Sequence, residues 1–418
     1  MQVLRRFPIL VSAMLCVTIA ASLGGCTLNK GCPTCPKLPA TTSSPPPQMT
    51  IPTCGSDLYS IANTIFKPGT TSDTDAPEVL FLSAGGSWGA WGAGILHTWL
   101  QQTNAPKFEI VIGASTGALL GTFALIGKKE IPLNGGGSIH MLDNLKKVYT
   151  QVNDADVYKQ RSWFVIPFSN SINTLDPLRE LAEETFPHEV IDEVGNIYMT
   201  ENRQLWVGTT NLDTGEFCSW NLSDLAAKGK YDEYIDLLIA SSSNPGIFDP
   251  VYIPSNAERK NQDLHADGGV RHQLYARVFE EAVDAYSVAR QGHPATPDKP
   301  TTYAIANGQL SVRRACVEDH IVPIMLRSLA ILQTSALDGD LHRVQKVGAA
   351  ASPAWEMQTS FVPNDYELWP SPDRFRDFEM EKLFNAAVAA MQGGTAWYAG
   401  VPNFAVSEAP CLPRTILP

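Results

Sequence analysis

Two apolar segments meet across a five-residue, glycine-bounded turn near position 115, and that junction limits the fold more than any other stretch. Residues 108–112 read as a short buried strand and residues 118–126 as a helix. Between them stands Gly113-Ala114-Ser115-Thr116-Gly117. So short a passage from strand to helix demands small residues where the two elements touch. It also holds the serine on a tight, strained turn with its hydroxyl projecting from the sheet edge. The helix N-terminus behind the turn favours negative charge, which suits a serine that attacks a carbonyl. The bland alternative is a βα turn whose glycines serve packing alone.

The same order occurs upstream. Residues 79–82 form an apolar run after Pro77, then comes Ser83-Ala84-Gly85-Gly86-Ser87-Trp88-Gly89, then a helical pattern over 89–100. Strand–helix–strand–helix order predicts a parallel sheet with helices on its faces. Further along, Asp176-Pro177 reads as an N-cap and first-turn proline for a helix ending at Phe186. Strands are expected over 205–209 and 302–306, and helices over 231–240, 273–290 and 378–391. The fold class is α/β, a three-layer α/β/α arrangement with a mostly parallel central sheet. No internal repeat is present.

Successive glycines at Gly85 and Gly86 let backbone N–H groups point into one cavity, as an oxyanion requires. The loop lacks both the Gly-x-Gly-x-x-Gly spacing of a dinucleotide site and the Gly-Lys-Ser/Thr ending of a phosphate loop. A third element is Asp267-Gly268-Gly269, after a loop-like stretch containing Asn256 and Asn261. On its own, an acid before two glycines is a turn former.

Taken in order, the three elements resemble the patatin-like phospholipase family: a glycine-rich loop, then Gly-x-Ser-x-Gly, then Asp-Gly-Gly. The segments 208–215 and 240–250 are similar to the family as well, so the resemblance spans about 78–270. It implies a patatin-like fold and a Ser–Asp dyad, with Ser115 as nucleophile and Asp267 as general base and proton acceptor. Gly85 and Gly86 would form the oxyanion hole, while Gly113, Gly117, Gly268 and Gly269 would support the turns. It further implies hydrolysis of acyl esters of lipids or phospholipids through an acyl-enzyme, with no metal and no cofactor. Two positions depart from the family: Ala84 replaces the first loop glycine, and Trp88 stands where a basic residue is common. Trp88 and Trp91 either pack the core together, or Trp88 lines the acyl site.

A Ser–His–Asp esterase or thioesterase is the rival enzyme. His272, His293, His320 and His342 follow the serine in the required order, and His265 lies two residues before Asp267. None has a recognisable catalytic setting. A catalytically inactive, lipid-binding lipoprotein is the rival of another class, and Trp88 is the feature that leaves room for it.

The N-terminus carries Arg5 and Arg6, a nearly uncharged apolar run over 7–21, and then Leu23-Gly24-Gly25-Cys26. This is expected to be a secretion signal over 1–25 ending in a bacterial lipobox, with Cys26 acylated. A tether rich in Pro, Ser and Thr then covers 26–56, and one acyl-hydrolase domain covers 57–418. The expected location is the bacterial cell envelope, lipid-anchored, with Thr27 after the cysteine favouring the outer membrane. Removing the two arginines with the signal takes the net charge from −12 to −14. Such a surface argues against nucleic acid as a partner and against broad attraction to anionic lipid. Cys32, Cys35, Cys54, Cys218, Cys316 and Cys411 remain for disulfides in an oxidising compartment. The Cys32-Pro-Thr-Cys35 spacing has no second pair to complete a zinc site.

Overall fold

Three strands are buried along almost their whole length: β1 (Glu78–Leu82), β2 (Ile110–Ala114) and β3 (Gln204–Asn211). Burial on both faces is what a parallel sheet covered by helices requires. The computed structural model describes residues 76–402, except 163, 165–168, 255–261, 292–298, 313–316, 318 and 370. The expected signal over 1–25 and tether over 26–56, with Cys26, Cys32, Cys35, Cys54, Cys316, Cys411 and His293, lie outside the described residues.

The central sheet has nine strands. The others are β4 (Phe217–Asn221), β5 (Val251–Pro254), β6 (Gln262–Asp267), β7 (Thr301–Ala306), β8 (Glu356–Phe361) and β9 (Tyr398–Ala399). Their order is β5-β6-β3-β2-β1-β7-β8-β9, with β4 also pairing β3. The central pairs β3/β2, β2/β1, β1/β7 and β7/β8 are parallel, while the outer pairs are antiparallel. This is the expected α/β fold with a mostly parallel sheet.

The helices are α1 (Ala90–Trp99), α2 (Thr116–Ile126), α3 (Met141–Thr150), α4 (Asp176–Thr185), α5 (His188–Glu201), α6 (Tyr231–Ser241), α7 (Ala276–Ala289), α8 (Ile321–Ala350) and α9 (Asp377–Gln392), besides shorter turns. Side chains alternate across the sheet. Leu80, Leu82, Val111 and Leu205 join the larger core with α1, α2, α3, α6 and α9. Val79, Phe81, Ile110 and Ile112 join a second core with α7, the C-terminal half of α8 and Trp355. The period of two along each strand thereby fills both helical layers. Trp91 is buried in the larger core, and its Nε1 donates to Ser360 Oγ at 3.1 Å.

Local differences from the sequence reading have physical causes. Asp176 is the first residue of α4, not its cap; Leu175 occupies the cap position without a side-chain bond. The pattern over 273–290 starts its helix only at Ala276; the residues just before it are held by the Asp340 carboxylate, which accepts from the N–H groups of Gln273 and Leu274 at 2.8 and 3.0 Å. Asp267 ends β6 and its carboxylate also caps the short turn over Gly268–Val270, so the turn-forming reading of the motif holds. The helices α3, α5 and α8 and the strands β4, β5, β6, β8 and β9 were not anticipated.

Candidate active site

The registers of β3 bring the two candidate catalytic residues together. β4 occupies one edge of β3 over Trp206–Thr210, pairing Gly208 with Ser219 and Thr209 with Cys218. Gly208 also pairs with Ala114 of β2, and Thr209 with Asp267 of β6. β2 and β6 therefore share the opposite edge of β3, meeting end to end. The last residue of β6 lands beside the turn that follows β2, and the Ser115 side chain reaches hydrogen-bonding contact with the Asp267 carboxyl.

Ser115 sits at φ 55° and ψ −128°, a conformation that costs a non-glycine residue on the order of 1–3 kcal/mol. The neighbours hold it there. Its N–H donates to Ser241 Oγ at 2.9 Å, and that hydroxyl donates to the Gly208 carbonyl at 2.7 Å. A side chain at Gly117 would run into the Leu82 carbonyl, so only glycine lets α2 start this close to β1. Thr116 Oγ1 bonds the Tyr149 hydroxyl at 2.7 Å and fixes the first turn of α2 to α3. Both Ser115 and Asp267 are buried at 7% exposure, so the pair is shielded from bulk water.

Burial pushes the Asp267 carboxyl up to about 7, and the nearby Asp373 carboxylate pushes in the same direction. The bonds from Ser115 and from the Gly269 N–H, at 2.7 Å, pull the other way. The Asp267 main chain is tied at both ends: its N–H donates to the Ser243 carbonyl, and its carbonyl accepts from Thr210 Oγ1, each at 2.9 Å. A carboxyl held in this state titrates near neutrality, the range useful to a general base.

A cavity of about 520 Å³ opens over the pair. Ala84, Gly85, Gly86 and Trp88 line it, together with Ser115 and Asp267. The glycine loop is pinned from two sides. Ser87 N–H and Oγ both donate to the Pro372 carbonyl, at 2.8 and 2.9 Å, and Trp369 Nε1 donates to Ser87 Oγ at 3.0 Å. Asn307 donates from its N–H to Ser83 Oγ at 2.8 Å and from Nδ2 to the Ser83 carbonyl at 2.7 Å. No backbone or side-chain acceptor among the described residues takes the N–H groups of Gly85 and Gly86, and both residues line the cavity. Trp91 follows the packing reading, whereas Trp88 lines the cavity with its buried Nε1 unpartnered.

Asp373 and Asn244 also line the cavity. Asn244 Nδ2 donates to the two Asp373 carboxylate oxygens at 3.2 and 3.5 Å, and burial raises the Asp373 carboxyl. Neither residue stood out in the sequence. Asn244 lies within the family-like segment before Asp267, which was the one signal available for it.

Among the described residues no histidine lines the cavity. His265 is buried in β6, bonds Thr209 Oγ1 at 2.9 Å and is pushed down to about 4 by burial. His272 pairs with Asp340 at 3.1 Å, and His342 sits near Asp338 on the surface of α8. His320 is exposed at the start of α8. No group of His, Cys, Asp and Glu among the described residues could hold a metal ion.

Comparison with known families matches residues 80–279 to the patatin-like phospholipases. The chain carries a patatin-like phospholipase domain. The match begins within β1 and ends within α7, so it contains the glycine loop, Ser115 and Asp267. No curated protein matches the chain. Thirteen chains of solved structures match, among them VipD from Legionella pneumophila. That structure is 14% identical over 75% of this chain and 67% of its own, with a TM-score of 0.28. The patatin-like domain keeps its mixed α/β fold with helices on both sides of the sheet.

The raised Asp267 pKa has a consequence for stability. Its folded value of about 7 exceeds the unfolded carboxylate value of about 3.9, so the folded state binds the extra proton between them. The associated stability is fully present below about pH 4 and is lost as pH rises through 7. Asp267→Asn cannot ionise and lacks this loss. Its unfolding free energy relative to the parent should therefore rise from pH 5 to pH 8 in denaturant titrations. A constant offset between the two proteins across that range would contradict the assignment.

Proposed function

We propose that the patatin-like domain is a serine acyl-hydrolase that cleaves lipid acyl esters with the Ser115–Asp267 pair. Family membership supports lipid acyl hydrolysis in general. The observation that carries the finer reading is Ser115, held on a strained turn against a buried carboxyl poised near neutral pH.

Asp267 accepts the Ser115 hydroxyl proton as Oγ bonds to the ester carbonyl carbon. The carbonyl oxygen takes the negative charge and is held by the N–H groups of Gly85 and Gly86. Collapse breaks the bond to the alcohol, which leaves with the proton from Asp267. Water then attacks the acyl-enzyme, again giving a proton to Asp267, and the free acid departs as Ser115 Oγ is reprotonated. Trp88, Leu119, Val157 and Phe248 give the cavity apolar wall for an acyl chain. Phospholipid or lysophospholipid is the leading substrate class.

Ser115→Ala and Asp267→Asn should each lower kcat/KM for a soluble ester by at least about 10²-fold, with folding retained. His265→Ala and His272→Ala should keep roughly a tenth of the activity or more, because neither moves a proton in this scheme. In the parent, kcat/KM should rise with pH through a midpoint near 7, as Asp267 loses its proton. A histidine variant as inactive as Ser115→Ala, yet folded, would replace the dyad with a triad.

The cell-envelope location and the division into signal 1–25, tether 26–56 and enzyme domain 57–418 belong to the same proposal. Cys218 is disulfide-bonded, which suits an oxidising compartment. Mature protein from the native host should begin at an acylated Cys26, as read by intact mass. An unmodified Cys26 in that measurement removes the anchor.

A further inference from the structure

Helix α8 presents two unlike faces. Arg327, Ala330, Gln333, Thr334 and Leu337 line the cavity that holds Ser115 and Asp267. Ile321, Ile324, Met325, Leu329, Ile331 and Leu332 are exposed, Leu332 by 66%. At 100° per residue the two sets centre on opposite sides of the helix. One side of α8 is therefore cavity wall, and the other is an apolar stripe turned to solvent.

A cluster of this size is uncommon on a surface without a partner. Its position and charge point to what covers it. The stripe lies on the outer side of the wall that encloses the nucleophile, so whatever binds it is held at the margin of the catalytic cavity. Between Ile321 and Leu337 the one charged residue is Arg327, and it belongs to the cavity set. The segment is flanked by Asp319 and Asp338 in a chain of net charge −12, which disfavours an anionic surface. Among the described residues no helix is long and apolar enough to cross a membrane, so the stripe suits a helix lying on lipid rather than through it.

We propose that the 321–332 face of α8 docks on the surface of a zwitterionic phospholipid bilayer and holds the catalytic cavity at the lipid boundary. The proposal rests on the lipid acyl-hydrolase reading. It adds a site of contact distinct from both the N-terminal anchor and the catalytic pair. Apolar side chains of the stripe enter the headgroup and acyl boundary, while the cavity-facing residues stay with the protein.

The test uses the full chain with Ser115→Ala, so that lipid is not consumed, and Cys26→Ala, so that no acyl anchor competes. Its flotation with phosphatidylcholine vesicles is compared with the same protein carrying Met325→Glu and Leu332→Glu. The two added carboxylates should lower the partition coefficient tenfold or more. With Ser115 and Cys26 intact, the same pair should leave kcat/KM for a soluble short-chain ester within about twofold of the parent. A milder pair, Met325→Gln and Leu332→Gln, guards against misfolding and should give an intermediate loss of flotation. Equal partitioning of parent and both pairs overturns the proposal, as does a parent that does not float. It is also overturned if the substitutions abolish concentration-dependent self-association but leave vesicle partitioning unchanged, since the stripe would then contact a second copy. Failure of the hydrolase reading would appear separately, as a parent inactive on the soluble ester.

Discussion

Hydrogen bonding along one edge of β3 brings Ser115 and Asp267 together. β2 pairs with that edge up to Gly208, and β6 takes over at Thr209 from the opposite direction. A strand that changes partners in mid-edge leaves two chain ends facing each other, one turning into α2 and the other into Gly268-Gly269. The strained serine turn is then set by Ser241, whose hydroxyl joins the Ser115 N–H to the Gly208 carbonyl at the changeover. A slip of one residue in either register would separate the pair and also turn buried side chains to the wrong layer.

Burial of the pair sets its electrostatics. Neither Asp267 nor Asp373 has an ion-pair partner among the described residues, and both carboxyls are raised. An acid stabilised by a strong cation would be a poor base at neutral pH; one held by a serine hydroxyl and a glycine N–H keeps its affinity for a proton. The glycine loop is supported by Pro372, Trp369 and Asn307, which lie far away in sequence on the β7–β8 side of the sheet. The C-terminal part of the chain, beyond the family match, thus supplies supports for the loop and part of the cavity wall.

Sequence was most informative where the structure is local. The turns after β1 and β2 join adjacent elements, and their glycines mark close contacts that admit no side chain. The places of Ser115, Gly85 and Gly86 at strand-to-helix turns were therefore legible from order alone. Asp267 was legible through its motif, but its partnership with Ser115 is made by long-range pairing that no local pattern encodes. Asp373, Asn307 and Trp369 act across the sheet and left no signal. Helix α8 was missed for a different reason. Pro323 stands in its first turn, and its exposed and cavity-facing sets together blur the single apolar stripe by which a surface helix is recognised.

The central claim is that Asp267 activates Ser115. Labelling by a fluorophosphonate, mapped to the modified peptide and followed as a rate against pH, tests it most directly. Modification is expected at Ser115, with a rate that climbs through a midpoint near pH 7 in the parent. In Asp267→Asn the rate should be lower by about 10²-fold and lack that midpoint. Labelling at another serine, or an Asp267→Asn profile that matches the parent, would contradict it.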